Sequence, residues 1–234
     1  LNDFNMDRLL STIKIQVNEN LYNKNPETSE LGKKIIENSI KLIHEIGVEA
    51  FTFKKLGKEI QSNESSIYRY FENKHKLLLY LTSWYWSWIE YQLVFSTFNV
   101  INPTEKIEKS IEILTQTISQ DSNYGHINEV LLNQIIINEF SKSYLTKEVD
   151  SENKEGYFSV FKRLVKRLEE IILEIDSSYP YPLSLASTVI EGALYQSFLK
   201  DHFTSITDCD SSHKIKEFLI HLVNTTLKNS KNVR

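Results

Sequence analysis

Residues 52–77 read TFKKLGKEIQSNESSIYRYFENKHKL, and the fold turns on how they are parsed. Thr52 suits a helix N-cap, after which Phe53, Leu56 and Ile60 fall on one face of a short helix. Gln61-Ser62-Asn63-Glu64 interrupts that period. A second short helix follows with Ile67 and Phe71 inward, and Asn73 is placed to cap a third. Two short helices across such a turn fit a helix-turn-helix. The second helix would present Glu64, Ser65, Ser66, Tyr68, Arg69 and Tyr70. These are donors, acceptors and amphipathic rings, which suit a helix inserted into a DNA groove. Thr52 and Lys74 stand at helix N-termini, where hydroxyl, ammonium and free backbone N–H groups hold phosphate. The plain alternative is a helical hairpin inside a core.

Upstream, Ser29 can cap a helix whose stripe Ile35, Ile36, Ile40, Ile43 and Ile46 ends at Gly47. Residues 1–29 read as an N-terminal extension. Leu9, Leu10, Ile13 and Val17 have helical spacing there, while Ile13, Ile15 and Val17 alternate like a strand. Downstream, a long helix is expected from Lys74 to about Phe98, with Asn99 to Pro103 ending it. Further helices are expected at about 104–121, 126–143, 153–176, 182–203 and 211–229. The 234 residues hold only 6 Gly and 4 Pro, too little turn punctuation for a sheet-rich fold. The chain reads as all-α: extension 1–29, helix-turn-helix domain 30–76, and a larger helical domain 77–234.

Charge supports this division. Residues 31–80 carry nine bases against six acids, a net of +3, so the rest of a −4 chain carries −7. A small basic module on an acidic body is the footprint of a nucleic-acid reader. The single cysteine, Cys209, excludes an intramolecular disulfide and any multi-cysteine metal site. His202, Asp208, Cys209, Asp210 and His213 are close in sequence but lack regular ligand spacing, so no metal is expected. Leu77 to Ile89 is uncharged but, at 13 residues, falls short of the roughly 20 that cross a membrane. Leu1 to Asp7 lack the basic-then-apolar order of a signal peptide, which suits a cytoplasmic protein. No nucleophile elbow, phosphate loop or HExxH occurs, so neither an enzyme nor a cofactor is expected.

Over about residues 31–80 the sequence resembles the DNA-binding domain of the TetR family of bacterial transcriptional regulators. The resemblance rests on Gly47, Thr52, Leu56-Gly57, Ile67-Tyr68-Arg69-Tyr70-Phe71 and Lys74 at the family's spacing. The family has Gly where Gln61 stands and Ala where Gly57 stands. Gln61 is therefore expected in a left-handed backbone, at a cost on the order of 1 kcal/mol. The resemblance implies phosphate contacts from Thr52, Tyr68, Tyr70 and Lys74, and base-edge contacts from Glu64, Ser65, Ser66 and Arg69; the alternatives are packing of Tyr68 or Tyr70 on the first helix and Arg69 as a solvated surface charge. It implies that the long helix joins the DNA-binding domain to an effector pocket. Trp84, Trp88, Tyr91 and Phe95 follow helical spacing along that helix and would form an aromatic wall for a small, mainly apolar or aromatic effector; ordinary core packing is the alternative. It implies finally that the last two helices make a four-helix dimer interface. The candidates there are Ala186, Val189, Ile190, Ala193, Phe218 and Leu222, with intrachain core as the alternative. The function expected is a one-component regulator: a ligand-responsive repressor binding a near-palindromic operator in double-stranded DNA as a homodimer, with no membrane partner. The competing reading is an all-helical interaction protein whose helix-turn-helix does not read DNA.

Overall fold

The computed structural model describes residues 15, 17–120 and 124–230, and among these there are helices and turns but no strand. The helical spacing at Leu9, Leu10 and Ile13 lies outside the described residues, as does part of the break at 121–125. The helices are α1 (Glu30–Ala50), α2 (Phe53–Glu59), α3 (Glu64–Tyr68), α4 (Lys74–Thr97) and α5 (Pro103–Thr115). They continue as α6 (Glu129–Tyr144), α7 (Val149–Lys154), α8 (Ser159–Ile175), α9 (Pro182–His202) and α10 (Ser212–Ser230).

Two expected helices change length for visible reasons. The helix placed at about 104–121 ends at Thr115, because Gln116 turns extended (φ −62°, ψ 151°) and its N–H closes the last turn on Glu112. The helix placed at 153–176 begins only at Ser159, since Gly156 adopts φ +80° and separates it from the short α7. Glycine reaches that region without a Cβ clash.

The chain forms two compact units. The first gathers the described residues up to Ser87 with those of Ser119–Ile135 and Glu139–Tyr157. Its core is the inward face of the helix-turn-helix: Ile35, Ile36, Ile40, Phe51, Leu56, Ile67 and Phe71 are fully buried. Burying each such side chain contributes about 1.5–3 kcal/mol. The Ser29 hydroxyl caps α1 by accepting from the Gly32 N–H at 3.2 Å. A Cβ on Gly32 would lie 2.2 Å from the Pro26 carbonyl oxygen, so this glycine lets the extension lie against α1. Gly47, at φ +73° and ψ 160°, breaks α1 where the apolar stripe ends.

The second unit holds Trp88–Ile118, Ile136–Asn138 and the described residues from Phe158 on. In it α5, α8, α9 and α10 pack against one another. The stripe Val160, Leu164, Leu168, Ile171 and Ile172 buries one face of α8. Lys106 pairs with Glu174 at 2.7 Å and Lys216 with Glu112 at 2.8 Å, tying α5 to α8 and to α10. At Gly192 an added Cβ would sit 3.4 Å from Leu219 Cδ2, which shows how closely α9 and α10 approach.

Helix α4 departs from the amphipathic reading. Every residue from Leu77 to Glu90 is buried, Thr82, Ser83, Ser87 and Glu90 included, so the helix is covered on all sides over this stretch rather than on a single aromatic face. No helix among the described residues is long and apolar enough to cross a membrane.

Candidate nucleic-acid interface

The recognition segment is built by caps. The Thr52 hydroxyl accepts from the Lys55 N–H at 3.2 Å and starts α2. The turn closes through the Ser62 N–H on the Gly57 carbonyl at 2.8 Å. Gln61 takes φ +55°, the left-handed conformation expected of it. A Cβ on Gly57 would stand 2.8 Å from the Ser62 carbonyl oxygen, so the alanine usual in the family would crowd this turn. Asn63 then caps α3: its Oδ1 accepts from both the N–H and the hydroxyl of Ser66, each at 2.8 Å. Cap side chains of this type contribute about 1 kcal/mol, a large share of the stability of a five-residue helix. Asn63, which the sequence pattern places in the turn, stands directly before a helix start, the usual position of a cap.

Ser65 and Arg69 are exposed, and Glu64 and Ser66 partly so. Tyr68 is 47% exposed, its ring edge-on to Phe53 at 5.0 Å and its hydroxyl donating to Glu64 Oε1 at 3.4 Å. Thr52, Lys54 and Lys58 are exposed as well.

Two expected phosphate contacts are engaged elsewhere. Tyr70 is 3% exposed, with its hydroxyl 2.7 Å from Ser29 Oγ and Lys24 Nζ 5.1 Å from its ring centroid. The hydrogen bond to Ser29, then Lys24 and the charge of Arg69, hold its phenol below the usual tyrosine range against the effect of burial. Position 70 lies too close to the apolar stripe of Ile67 and Phe71 to face outward. Lys74 donates to the carbonyl oxygens of Val48 at 3.0 Å and Glu49 at 3.1 Å, spending its ammonium on the end of α1. Lys55 does likewise on Ala50 at 2.8 Å.

The other candidates divide between the units. Trp84 is 2% exposed and lies in the first unit; Trp88 at 5%, partly buried Tyr91, and Phe95 at 50% belong to the second. A cavity of about 1060 Å³ in the first unit is lined by Trp84 with Tyr22, Glu27, Lys33, Tyr80, Tyr124 and His126. The continuous wall read from the 84-88-91-95 spacing is thus not what this cavity uses. Burial pushes the Glu27 carboxyl up, but hydrogen bonds from His126 and Tyr80 outweigh it and hold Glu27 below the ordinary carboxylate range. In the second unit, Arg163 at 2.7 Å and Arg167 at 2.8 Å grip the nearly buried Glu90. Ala186, Val189, Ile190 and Ala193 are at most 1% exposed within the single chain, so this small-residue stripe packs internally rather than facing a second copy. The outward apolar groups of α9 and α10 are Leu183 at 52%, Tyr195 at 59% and Phe218 at 42%, with Leu222 partly exposed.

Comparison with known proteins follows the same outline. No curated protein matches the chain. Residues 35–81 match the model of the bacterial regulatory proteins of the tetR family. Among solved structures, AibR in complex with isovaleryl coenzyme A and operator DNA superposes with a TM-score of 0.56 at 17% identity, over 81% of this chain and 97% of that one. A TetR-family transcriptional regulator from Streptomyces coelicolor gives 0.54 at 10% identity, over 84% and 93%. The fatty acid degradation regulator FadR from Bacillus halodurans gives 0.53 at 14%, over 84% and 95%. At such identities the likeness shows the fold. The family match falls on the capped helix-turn-helix itself, and residues 35–81 are accordingly similar to the DNA-binding domain of the bacterial regulatory proteins of the tetR family.

Proposed function

We propose that the chain is a ligand-responsive repressor that binds a near-palindromic operator as a homodimer. The observation that carries this reading is the Asn63-capped α3, which turns Ser65 and Arg69 outward beside Glu64, Ser66 and the half-exposed Tyr68. Glu64, Ser65, Ser66 and Arg69 meet base edges, Arg69 as a two-pronged donor to guanine. Thr52 and Tyr68 contact phosphates, with exposed Lys54 and Lys58 adding charge. Tyr70 and Lys74 hold the domain in shape from behind.

Homodimerisation uses the outward face of α9 and α10, through Tyr195, Phe218 and Leu222. Exposed rings of this kind on long helices mark an association surface. A two-fold dimer then sets two α3 helices about 34 Å apart, one turn of duplex. The effector is a small molecule with an aromatic or apolar body. Support for a ligand comes from the cavity beside Trp84, whose lining joins the rings of Tyr22, Tyr80, Trp84 and Tyr124 to the polar and charged Glu27, Lys33 and His126, and from AibR, whose structure holds isovaleryl coenzyme A together with operator DNA. Repression would be relieved if that ligand prefers the state that cannot engage DNA.

The test is selection of bound duplexes from a randomised pool, followed by binding titrations at fixed salt. The protein should enrich an inverted repeat. Arg69→Ala should lose discrimination of about 1–3 kcal/mol at particular base pairs and keep its affinity for random duplex. A pool that stays random after selection would remove the DNA-reading function.

A further inference from the structure

The segment before α1 does more than lead into it. We propose that residues 20–29 form a strap that fixes the orientation of α3, with Asn23 as its positioning residue; this rests on the DNA-reading function above. Asn23 touches the C-terminal end of the recognition segment twice. Its backbone N–H donates to the Tyr70 carbonyl at 2.8 Å, and its side-chain Nδ2 donates to the Tyr68 carbonyl at 3.1 Å. Carbonyls at the end of a helix have no partner within the helix, so an outside donor both satisfies and aims them. After Asn23 the strap holds Tyr70 twice more. Lys24 stands over the Tyr70 ring, and Ser29 meets the Tyr70 hydroxyl at 2.7 Å.

A strap can position α3 only if it is itself anchored, and it is. Tyr22 meets Tyr80 of α4 edge-on at 6.2 Å. Glu27 accepts from the Tyr80 hydroxyl at 2.9 Å and is 2.9 Å from His126 Nε2. Lys76 of α4 donates to the Asn20 carbonyl at 3.3 Å. The absence of a side chain on Gly32 lets Pro26 press against α1. Helix α3 has five residues and could not hold its own direction. The end carrying Arg69 is thus set by a segment that is remote in sequence yet tied to α1, α4 and His126. A rigid recognition helix helps sequence-specific binding, in which base contacts must register, far more than binding to phosphate alone.

Two full-chain variants test this: Asn23→Ala, and Asn23→Leu, which is neutral and nearly isosteric. Each removes the side-chain donor without changing charge. Affinity for the selected duplex should fall about fivefold per recognition helix, as expected for one lost hydrogen bond. Affinity for random duplex at the same salt should stay constant. Without DNA, amide exchange at Ile67–Phe71 should accelerate in both variants, while exchange in α1 is unchanged. Equal losses on both duplexes, or an unchanged ratio with unchanged exchange, would overturn the strap. If the wild-type chain selects no site, the DNA function fails by itself, and the exchange experiment still decides whether Asn23 orders α3.

Discussion

Gln61→Gly isolates one backbone term in the turn that aims α3. Gln61 sits at φ +55° with its side chain in solvent, so the substitution removes no buried contact. A left-handed conformation costs an L-residue roughly 1–2 kcal/mol. Glycine avoids that cost but loses about 0.5–1 kcal/mol more backbone entropy on folding. The net expectation is a stabilisation of about 0.5–1 kcal/mol. Gln61→Ala keeps the Cβ and the strain, and should stay within about 0.5 kcal/mol of wild type. The difference between the two variants reads the backbone term with side-chain effects cancelled. Because the chain has two units, a global melt would blur this difference. Native-state amide exchange across Ile60–Ser66 reports the local opening energy, and glycine should slow exchange there about two- to fivefold. Faster exchange in Gln61→Gly than in Gln61→Ala would mean that the left-handed residue is unstrained, and would refute the reasoning.

Three further outcomes follow from the same kind of geometry. For Glu90, burial raises the carboxyl pKa, but the Arg163 and Arg167 hydrogen bonds and charges outweigh it; the folded value lies below the unfolded one, so its stabilisation is present above the unfolded pKa of about 4.3 and lost as pH falls through the folded value. Glu90→Gln should cost about 1–2 kcal/mol at pH 7, discounted for half-exposed arginines, and the gap in urea midpoints should close towards pH 3. Lys74→Ala should lower stability by about 1–2 kcal/mol while leaving the salt slope of random-duplex binding unchanged, since its ammonium rests on the Val48 and Glu49 carbonyls; a slope smaller by about one would restore it as a phosphate contact. Phe218→Glu should give monomers in sedimentation velocity, and a dimer of unaltered strength would move the interface away from α10.

The helix-turn-helix was legible from residues 52–77 because its determinants are local. Cap residues, a 3.6-residue apolar period and a left-handed turn position act within a few residues of one another, so the order of residues specifies them. Thr52, Ser29, Asn73, Gly47 and Gln61 all take the local roles their positions suggest. The side on which a residue finally points is a different matter. Tyr70 reads as an outward ring or as one packed on the first helix; its place beside Ile67 and Phe71 favours the inward side, and Ser29 of the strap, 41 residues away, takes its hydroxyl. Lys74 looked like a free ammonium until α1 brought its last carbonyls within reach. Ala186, Val189, Ile190 and Ala193 form a stripe whether their partner is this chain or another, since periodicity states that a face is covered and not by what. The aromatic run on α4 shows the same limit: spacing marks an apolar face on a helix, but the burial of every side from Leu77 to Glu90 is decided by the elements packed around it. Local chemistry in the sequence therefore determined the DNA-binding motif, and tertiary packing decided which of its side chains remain free to act.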